Sequence, residues 1–326
     1  MGALPAVLIE AFSGGPFGGN GAAVVDLEAP MPDDWLQAVA ASLRQSETAF
    51  LLESKQGWML RWFTPVCEVP LCGHATLAAL LALAHWRRLG PGDRTWLHSR
   101  SGPLEVELPA SRPGWGAIVL PSGDLQPEPA AAGLTELLLD RLGYGPEGCW
   151  SSELGYWVVL LPREAPLASM DGLAPALEGP LRQGLVLMQG LDPTAGGPRI
   201  GGEPADYQLR FFAPGLGIPE DPVTGSAHAL VAPWWQRHLS RPRVRGWQCS
   251  DRPGGMLCEA VSSAMIRLTG SGHLLWDGTL RTASVGWAPA PETGGERDGP
   301  PLSELWDAWR TVTRLPCSTA SAATPF

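Results

Sequence analysis

The sequence predicts an α+β protein of two similar halves, each a strand-rich, barrel-like sheet around a central helix. Three observations predict it. The chain states one pattern twice: Arg61-Trp-Phe-Thr-Pro65 leads to Cys72-Gly73-His74-Ala75-Thr76, and Arg210-Phe-Phe-Ala-Pro214 leads to Thr224-Gly225-Ser226-Ala227-His228. The first copy continues as Leu77-Ala-Ala-Leu-Leu-Ala-Leu-Ala84, apolar almost all round, and a helix without a polar face is a buried one. Around both copies run short apolar segments separated by Gly and Pro, the mark of many short strands.

Composition bounds the functions open to it. With 326 residues, 44% of them hydrophobic, the chain has room for two domains with real cores. The 23 basic residues against 33 acidic ones leave a net charge of -10, spread along the chain. That balance offers no basic footprint for nucleic acid or an anionic membrane surface, and no segment is long and apolar enough to span a bilayer. The first residues, Met1-Gly-Ala-Leu-Pro-Ala-Val-Leu-Ile-Glu10, lack a basic start and read as a strand rather than a signal peptide. Cysteines 67, 72, 149, 249, 258 and 317 form no C-x-x-C, which fits reduced thiols and a cytoplasmic protein, with no metal site expected.

In chain order, residues 5–10 and 22–27 read as strands around the turn Ser13-Gly-Gly-Pro-Phe-Gly-Gly-Asn20. A helix follows, with Asp33 and Asp34 at its positive end and Trp35, Val39 and Leu43 on one side. Strands are predicted at 48–52 and 58–63, the buried helix from 74 to 89, and strands at 95–97, 104–108 and 116–120. The Pro/Gly/Ala-rich stretch 121–132 reads as a linker. The second half opens with a helix at 135–142 and continues with strands at 157–161, 184–189 and 208–212. A second central helix spans 226–239, with Pro233 expected to kink or shorten it, and 246–269 reads as further strands. These readings place an N-terminal half at 1–120, completed by a strand near 279–287, and a C-terminal half at 121–278. Residues 288–326 read as a Pro/Gly linker, an amphipathic helix carrying Leu305, Trp306, Trp309 and Val312, and a disordered tail. That helix either docks on its own domain or offers a partner contact through Trp306 and Trp309.

Each repeated motif ends in a glycine-led helix start, which presents free backbone N–H groups and the positive end of a helix dipole. Two such starts suit a small carboxylate. Taken together, Gly19-Asn20, Ser46-Glu47-Thr48-Ala49-Phe50, Arg61-Trp-Phe-Thr-Pro65, Leu71-Cys-Gly-His-Ala-Thr-Leu77 and Glu220-Asp-Pro-Val-Thr-Gly-Ser-Ala-His228 resemble, in order and spacing, the phenazine-biosynthesis PhzF-like family from about residue 6 to 287. The resemblance implies a diaminopimelate-epimerase-like fold, a homodimer, and an active site in the cleft between the halves. It also implies a cofactor-free isomerase, because the characterised member uses one glutamate to move a proton between carbons of a dihydro-hydroxyanthranilate.

Carried over residue by residue, the resemblance makes Glu47 the shuttling acid/base and His74 and Asp221 its polar assistants. Gly73, Gly225 and Ser226 become the carboxylate cradle, with Asn20 and Ser46 as further substrate contacts. By themselves these residues also read as a solvated glutamate at a strand start, a capping histidine and a turn aspartate before Pro222. A closed apolar pocket is expected to raise the Glu47 pKa toward the useful range. Cys72 stands where true epimerases of this fold carry one of two catalytic thiols, but the partner place is Thr224, so two-thiol racemisation is disfavoured. Gly21 replaces the proline usual after Asn20. The alternatives are a lyase or epimerase on a small hydroxy or amino acid, and a non-enzymatic protein-binding member of the fold.

Overall fold

The computed structural model describes residues 3–170 and 172–281. In chain order the elements begin with β1 (Ala3–Ala11), β2 (Asn20–Leu27), α1 (Asp33–Leu43), β3 (Glu47–Ser54), β4 (Gly57–Phe63), β5 (Glu68–Val69) and α2 (Gly73–His85). They continue with β6 (Arg94–Ser99), β7 (Gly102–Glu107), β8 (Trp115–Pro121), β9 (Leu125–Pro127), α3 (Leu134–Leu142), β10 (Gly148–Ser152), β11 (Trp157–Leu160) and β12 (Leu185–Gly190). The last are β13 (Arg199–Ile200), β14 (Glu203–Pro204), β15 (Tyr207–Ala213), β16 (Ile218–Asp221), α4 (Gly225–His238), β17 (Arg243–Gln248), β18 (Gly254–Ala260) and β19 (Met265–Arg281). The readings at 282–326, including Trp306 and Trp309, lie outside the described residues.

The described residues form two compact units, one of residues 3–11, 21–118 and 272–281 and the other of residues 12–20, 119–170 and 172–271. The glycine-rich turn, read from sequence within the N-terminal half, therefore belongs to the second unit, and so does Asn20. The first unit is an eight-stranded barrel in the order β1-β2-β3-β4-β6-β7-β8-β19, closed by the antiparallel pairing of β19 with β1. Its axis is α2, whose residues Gly73 through Leu83 are all buried, as an all-apolar helix requires. Outside the barrel wall α1 lays Trp35, Leu36 and Ala40 on Phe50, Met59 and Phe63. A left-handed Arg44, φ 53°, ends that helix.

The second unit repeats the hydrogen-bond pattern. β2 runs parallel to β3 and β4 parallel to β6 in the first; β11 runs parallel to β12 and β15 parallel to β17 in the second. In both, antiparallel pairs join these parallel ones, and one apolar helix, α2 or α4, follows the Arg-x-Phe-x-Pro strand. Trp235 of α4 stacks on Tyr207 of β15 with ring centroids 5.2 Å apart.

The repeat is imperfect. α1 connects β2 to β3, whereas β11 and β12 are joined by three 3-10 turns, at Leu167–Ser169, Ala174–Ala176 and Gly179–Arg182. Pro162, Pro166, Pro175 and Pro180 explain the difference, because each removes a helix donor and crowds the preceding turn. Within the expected linker, Leu125–Pro127 forms β9 and pairs with Trp150–Ser152 of β10. Pro233 does not cut α4 short: the helix runs through it to His238.

Candidate functional site

Each unit gathers one polar cluster at the start of its central helix. In the first unit, Glu47 opens β3 and is 7% exposed, while His74 sits in the first turn of α2 and is 5% exposed. His74 Nε2 lies 3.0 Å from Glu47 Oε2, yet that buried oxygen accepts no well-aligned hydrogen bond. Charge attraction between the two side chains holds the pair, with the polar contacts around it adding to the hold. Ser46 Oγ contacts His74 Nε2 at 3.2 Å and donates to the carbonyl of Gly21 at 2.9 Å. Cys72 is the N-cap residue of α2, and its Sγ lies 3.5 Å from His74 Nδ1.

The electrostatics of this cluster overturn one expectation. Burial pushes the Glu47 carboxyl up, but the charge of His74 and the polar contacts of His74, Ser46 and Cys72 outweigh it, and the pKa ends below the usual carboxylate range. Burial would lower His74, but the hydrogen-bond contact of the Cys72 sulfur and the charge and contact of the Glu47 carboxylate hold it well above the ordinary imidazole value. The resting state is therefore a carboxylate facing an imidazolium. Burial, with Glu47 second, pushes the Cys72 thiol up to about 11, so it stays protonated at neutral pH.

Among the described residues, Glu47, Cys72 and His74 are the one group of His, Cys, Asp and Glu side chains whose donor atoms all lie within 4.8 Å of one another.

The second unit's cluster centres on Asp221, the last residue of β16. Asp221 Oδ1 accepts from Asn20 Nδ2 at 2.7 Å, and Oδ2 accepts from Thr224 Oγ1 at 2.6 Å. Threonine is a natural helix cap, but here its hydroxyl is spent on Asp221 and α4 has no side-chain cap. α2 likewise starts without one. The first N–H groups of both helices, at Gly73 and Gly225, are thus left without a cap from the preceding side chain. Ser226, half-buried on the first turn of α4, has its hydroxyl 3.4 Å from the Tyr156 hydroxyl. Asn20 also donates to the carbonyl of Val223 at 3.2 Å. His228 is fully buried; its Nδ1 meets the Tyr207 hydroxyl at 2.9 Å and burial lowers its pKa to about 3, which makes it a neutral core residue.

Glu47, Ser46, Gly73 and His74 therefore come together in one unit, and Asn20, Asp221, Gly225 and Ser226 in the other. Two residues escaped the sequence reading, Gln248 and Tyr156. Neither stands in a motif, and each reaches its cluster from a strand or turn more than twenty residues away in sequence.

The repeated arginines are structural. Arg61, 1% exposed, grips Glu68 with two hydrogen bonds of 2.7 and 2.8 Å and Asp33 with a third of 2.8 Å. Arg210, 3% exposed, grips Glu220 with two of 2.6 Å and reaches the Met170 carbonyl. Each ties β4 or β15 to the short strand that leads into the central helix.

Two barrel-like units with this shared strand order, each carrying a polar cluster at a central helix start, define an epimerase-like α+β fold. Comparison supports that class: a hydroxyproline epimerase from Agrobacterium vitis shares the fold at TM-score 0.56 with 13% identity, over 85% of this chain and 92% of that one. A crystal structure of a PhzF-family phenazine biosynthesis protein from Enterococcus faecalis matches more fully, at TM-score 0.73 and 29% identity, covering 86% of this chain and 100% of that one.

The model of the phenazine biosynthesis-like protein family matches residues 9–120 and 153–278, and the chain belongs to that family. An uncharacterized isomerase of Pseudomonas aeruginosa is 36% identical over 274 residues, 84% of this chain and 97% of that protein. A human phenazine biosynthesis-like domain-containing protein is 32% identical over 290 residues, 85% of this chain and 99% of that one. The protein is an isomerase of this PhzF-like kind. No helix among the described residues is long and apolar enough to cross a membrane.

Proposed function

We propose that the protein is a cofactor-independent isomerase that moves a proton between two carbons of a small carboxylate, with Glu47 as the shuttling group. One observation carries the reading: a buried carboxylate oxygen, charged at rest, 3.0 Å from a buried imidazole and without a well-aligned donor. Such an oxygen is a base waiting for a proton. In the forward step a substrate C–H bond breaks, its proton joins Glu47 Oε2, and the electron pair spreads into the substrate's unsaturated system. The neutral Glu47 then returns the proton at a second carbon. Nothing is oxidised and no group leaves.

His74, held cationic beside Glu47, stabilises the carboxylate between turnovers and offers its N–H to charge developing on the substrate. The uncapped helix starts at Gly73 and Gly225, with the Ser226 hydroxyl, supply donors for the substrate carboxylate. Asp221 accepts from a substrate hydroxyl or amine, and Asn20 and Ser46 complete the polar lining. That one substrate meets both clusters is an implication of the family resemblance. A two-thiol racemisation is not supported, because Cys72 is a protonated thiol and Thr224 is engaged with Asp221.

The test is turnover of a dihydro-hydroxyanthranilate in deuterated water, followed by NMR. The wild type should place deuterium at the carbon that gains the proton. Glu47→Gln should lower that exchange by at least about a hundredfold, the scale of a lost general acid/base, while the variant still folds. Equal exchange in the variant would sink the assignment.

A further inference from the structure

We infer that Gln248 is a positioning residue that sets the aim of Asp221. This rests on the role given to Asp221 above. The loop Asp221-Pro222-Val223-Thr224 joins β16 to α4, and its geometry decides where the Asp221 carboxylate points. Gln248, the last residue of β17, is completely buried, and its amide bridges the two ends of that loop. Its Nε2 donates to the Asp221 carbonyl at 2.6 Å, and its Oε1 accepts from the Thr224 backbone N–H at 2.8 Å. Nε2 also lies 3.2 Å from Thr224 Oγ1, the hydroxyl that donates to Asp221 Oδ2 at 2.6 Å. One side chain thus holds the backbone of Asp221, the backbone of Thr224 and the hydroxyl that orients the carboxylate.

The chemistry requires an amide at this place. A donor and an acceptor on one planar group are needed, because the loop presents a carbonyl at one end and an N–H at the other. A carboxylate would keep the acceptor and lose the donor; an apolar residue would lose both and leave two buried backbone groups unpaired. The strand that carries Gln248 is itself fixed. β17 pairs antiparallel with β18 at Gln248 and Gly254, and the next residue, Gly255, donates its N–H to the Phe12 carbonyl at 2.9 Å, which ties the hairpin to the turn after β1. Asn20 works alongside it, donating to Asp221 Oδ1 and to the Val223 carbonyl. The glutamine holds the loop's ends, and the asparagine holds its middle and the second carboxylate oxygen.

Three variants test this: Gln248→Leu, Gln248→Glu and the core control Leu138→Ala in α3. Two readouts are needed, amide hydrogen exchange and the kinetics of dihydro-hydroxyanthranilate isomerisation. In Gln248→Leu the Thr224 amide should exchange about tenfold faster or more, the scale of one lost hydrogen bond, while amides of the β3–β4 ladder keep their protection. kcat should fall about tenfold or more, as misaimed groups do, with KM within about twofold. Gln248→Glu should keep the Thr224 protection yet not recover kcat, since it cannot hold the Asp221 carbonyl. In an Asp221→Asn background Gln248→Leu should cost no further activity.

Wild-type kcat in Gln248→Leu, an unchanged Thr224 amide, an equal kcat loss in Leu138→Ala at matched stability, or an undiminished effect in the Asp221→Asn background would each overturn the inference. If Gln248→Leu does not fold, Gln248→Glu carries the test through its split between protection and rate. Full activity of Asp221→Asn by itself would instead remove the role of Asp221, and the exchange of the Thr224 amide would still decide whether Gln248 holds the loop.

Discussion

His74 determines what Glu47 is. Two buried groups, each costly to charge alone, make the charged form cheap for one another, so burial that would raise an isolated glutamate ends with it lowered. Replacing His74 with Asn removes the charge and leaves the desolvation. The Glu47 titration midpoint, followed through the side-chain carboxyl carbon by NMR, should then move upward past the ordinary carboxylate value, and the acidic limb of kcat/KM should move with it. A midpoint that stays low in that variant would mean Ser46 and Cys72, rather than the imidazolium, hold the charge.

At the scale of elements, the repeated Arg-x-Phe-x-Pro strand is a fastening. Arg210 is almost wholly buried, and removing it would strand Glu220 and the Met170 carbonyl. Breaking a buried pair by deleting one partner costs about 3–5 kcal/mol, so Arg210→Met should lower the unfolding free energy in urea by that order. The Arg243–Glu259 pair is comparably close at 2.6 Å, but its arginine is 57% exposed. Arg243→Ala should therefore cost less than about 1 kcal/mol in the same measurement. Equal losses for the two variants would contradict the fastening role. The same logic explains why the helix starts stay open: Thr224 is used to orient Asp221, and Cys72 faces His74, so neither caps its helix.

Over the whole molecule the charged pair couples stability to pH. Glu47 has a lowered folded pKa, so its contribution is present above the unfolded value near 4.5 and is lost as pH falls through the folded one. His74 has a raised folded pKa, so its contribution is complete below the unfolded value near 6.5 and is lost as pH rises through the folded one. The difference in urea midpoint between the wild type and a Glu47→Gln/His74→Asn double variant should thus be greatest between those two unfolded values and shrink on both sides. A difference that grew steadily toward alkaline pH would refute the pairing.

Much of this was legible in the chain itself. The doubled motif announced the two alike units, the all-apolar run after Gly73 announced a buried central helix, and Glu47, His74, Asn20 and Asp221 were singled out by the resemblance of their short motifs to the PhzF-like family. Those signals are local, and local patterns survive in sequence because helix burial and helix starts depend on neighbouring residues. The sequence alone determined that each half presents a glycine-led helix start with polar residues beside it. Tertiary structure decided the rest: that Asn20 belongs with Asp221, that Gln248 locks the loop between them, that both arginines face inward to carboxylates, and that Glu47 rests ionised. Each of these depends on which distant strand delivers a partner within hydrogen-bond reach, and on whether a neighbouring charge outweighs burial, which spacing along a chain does not encode.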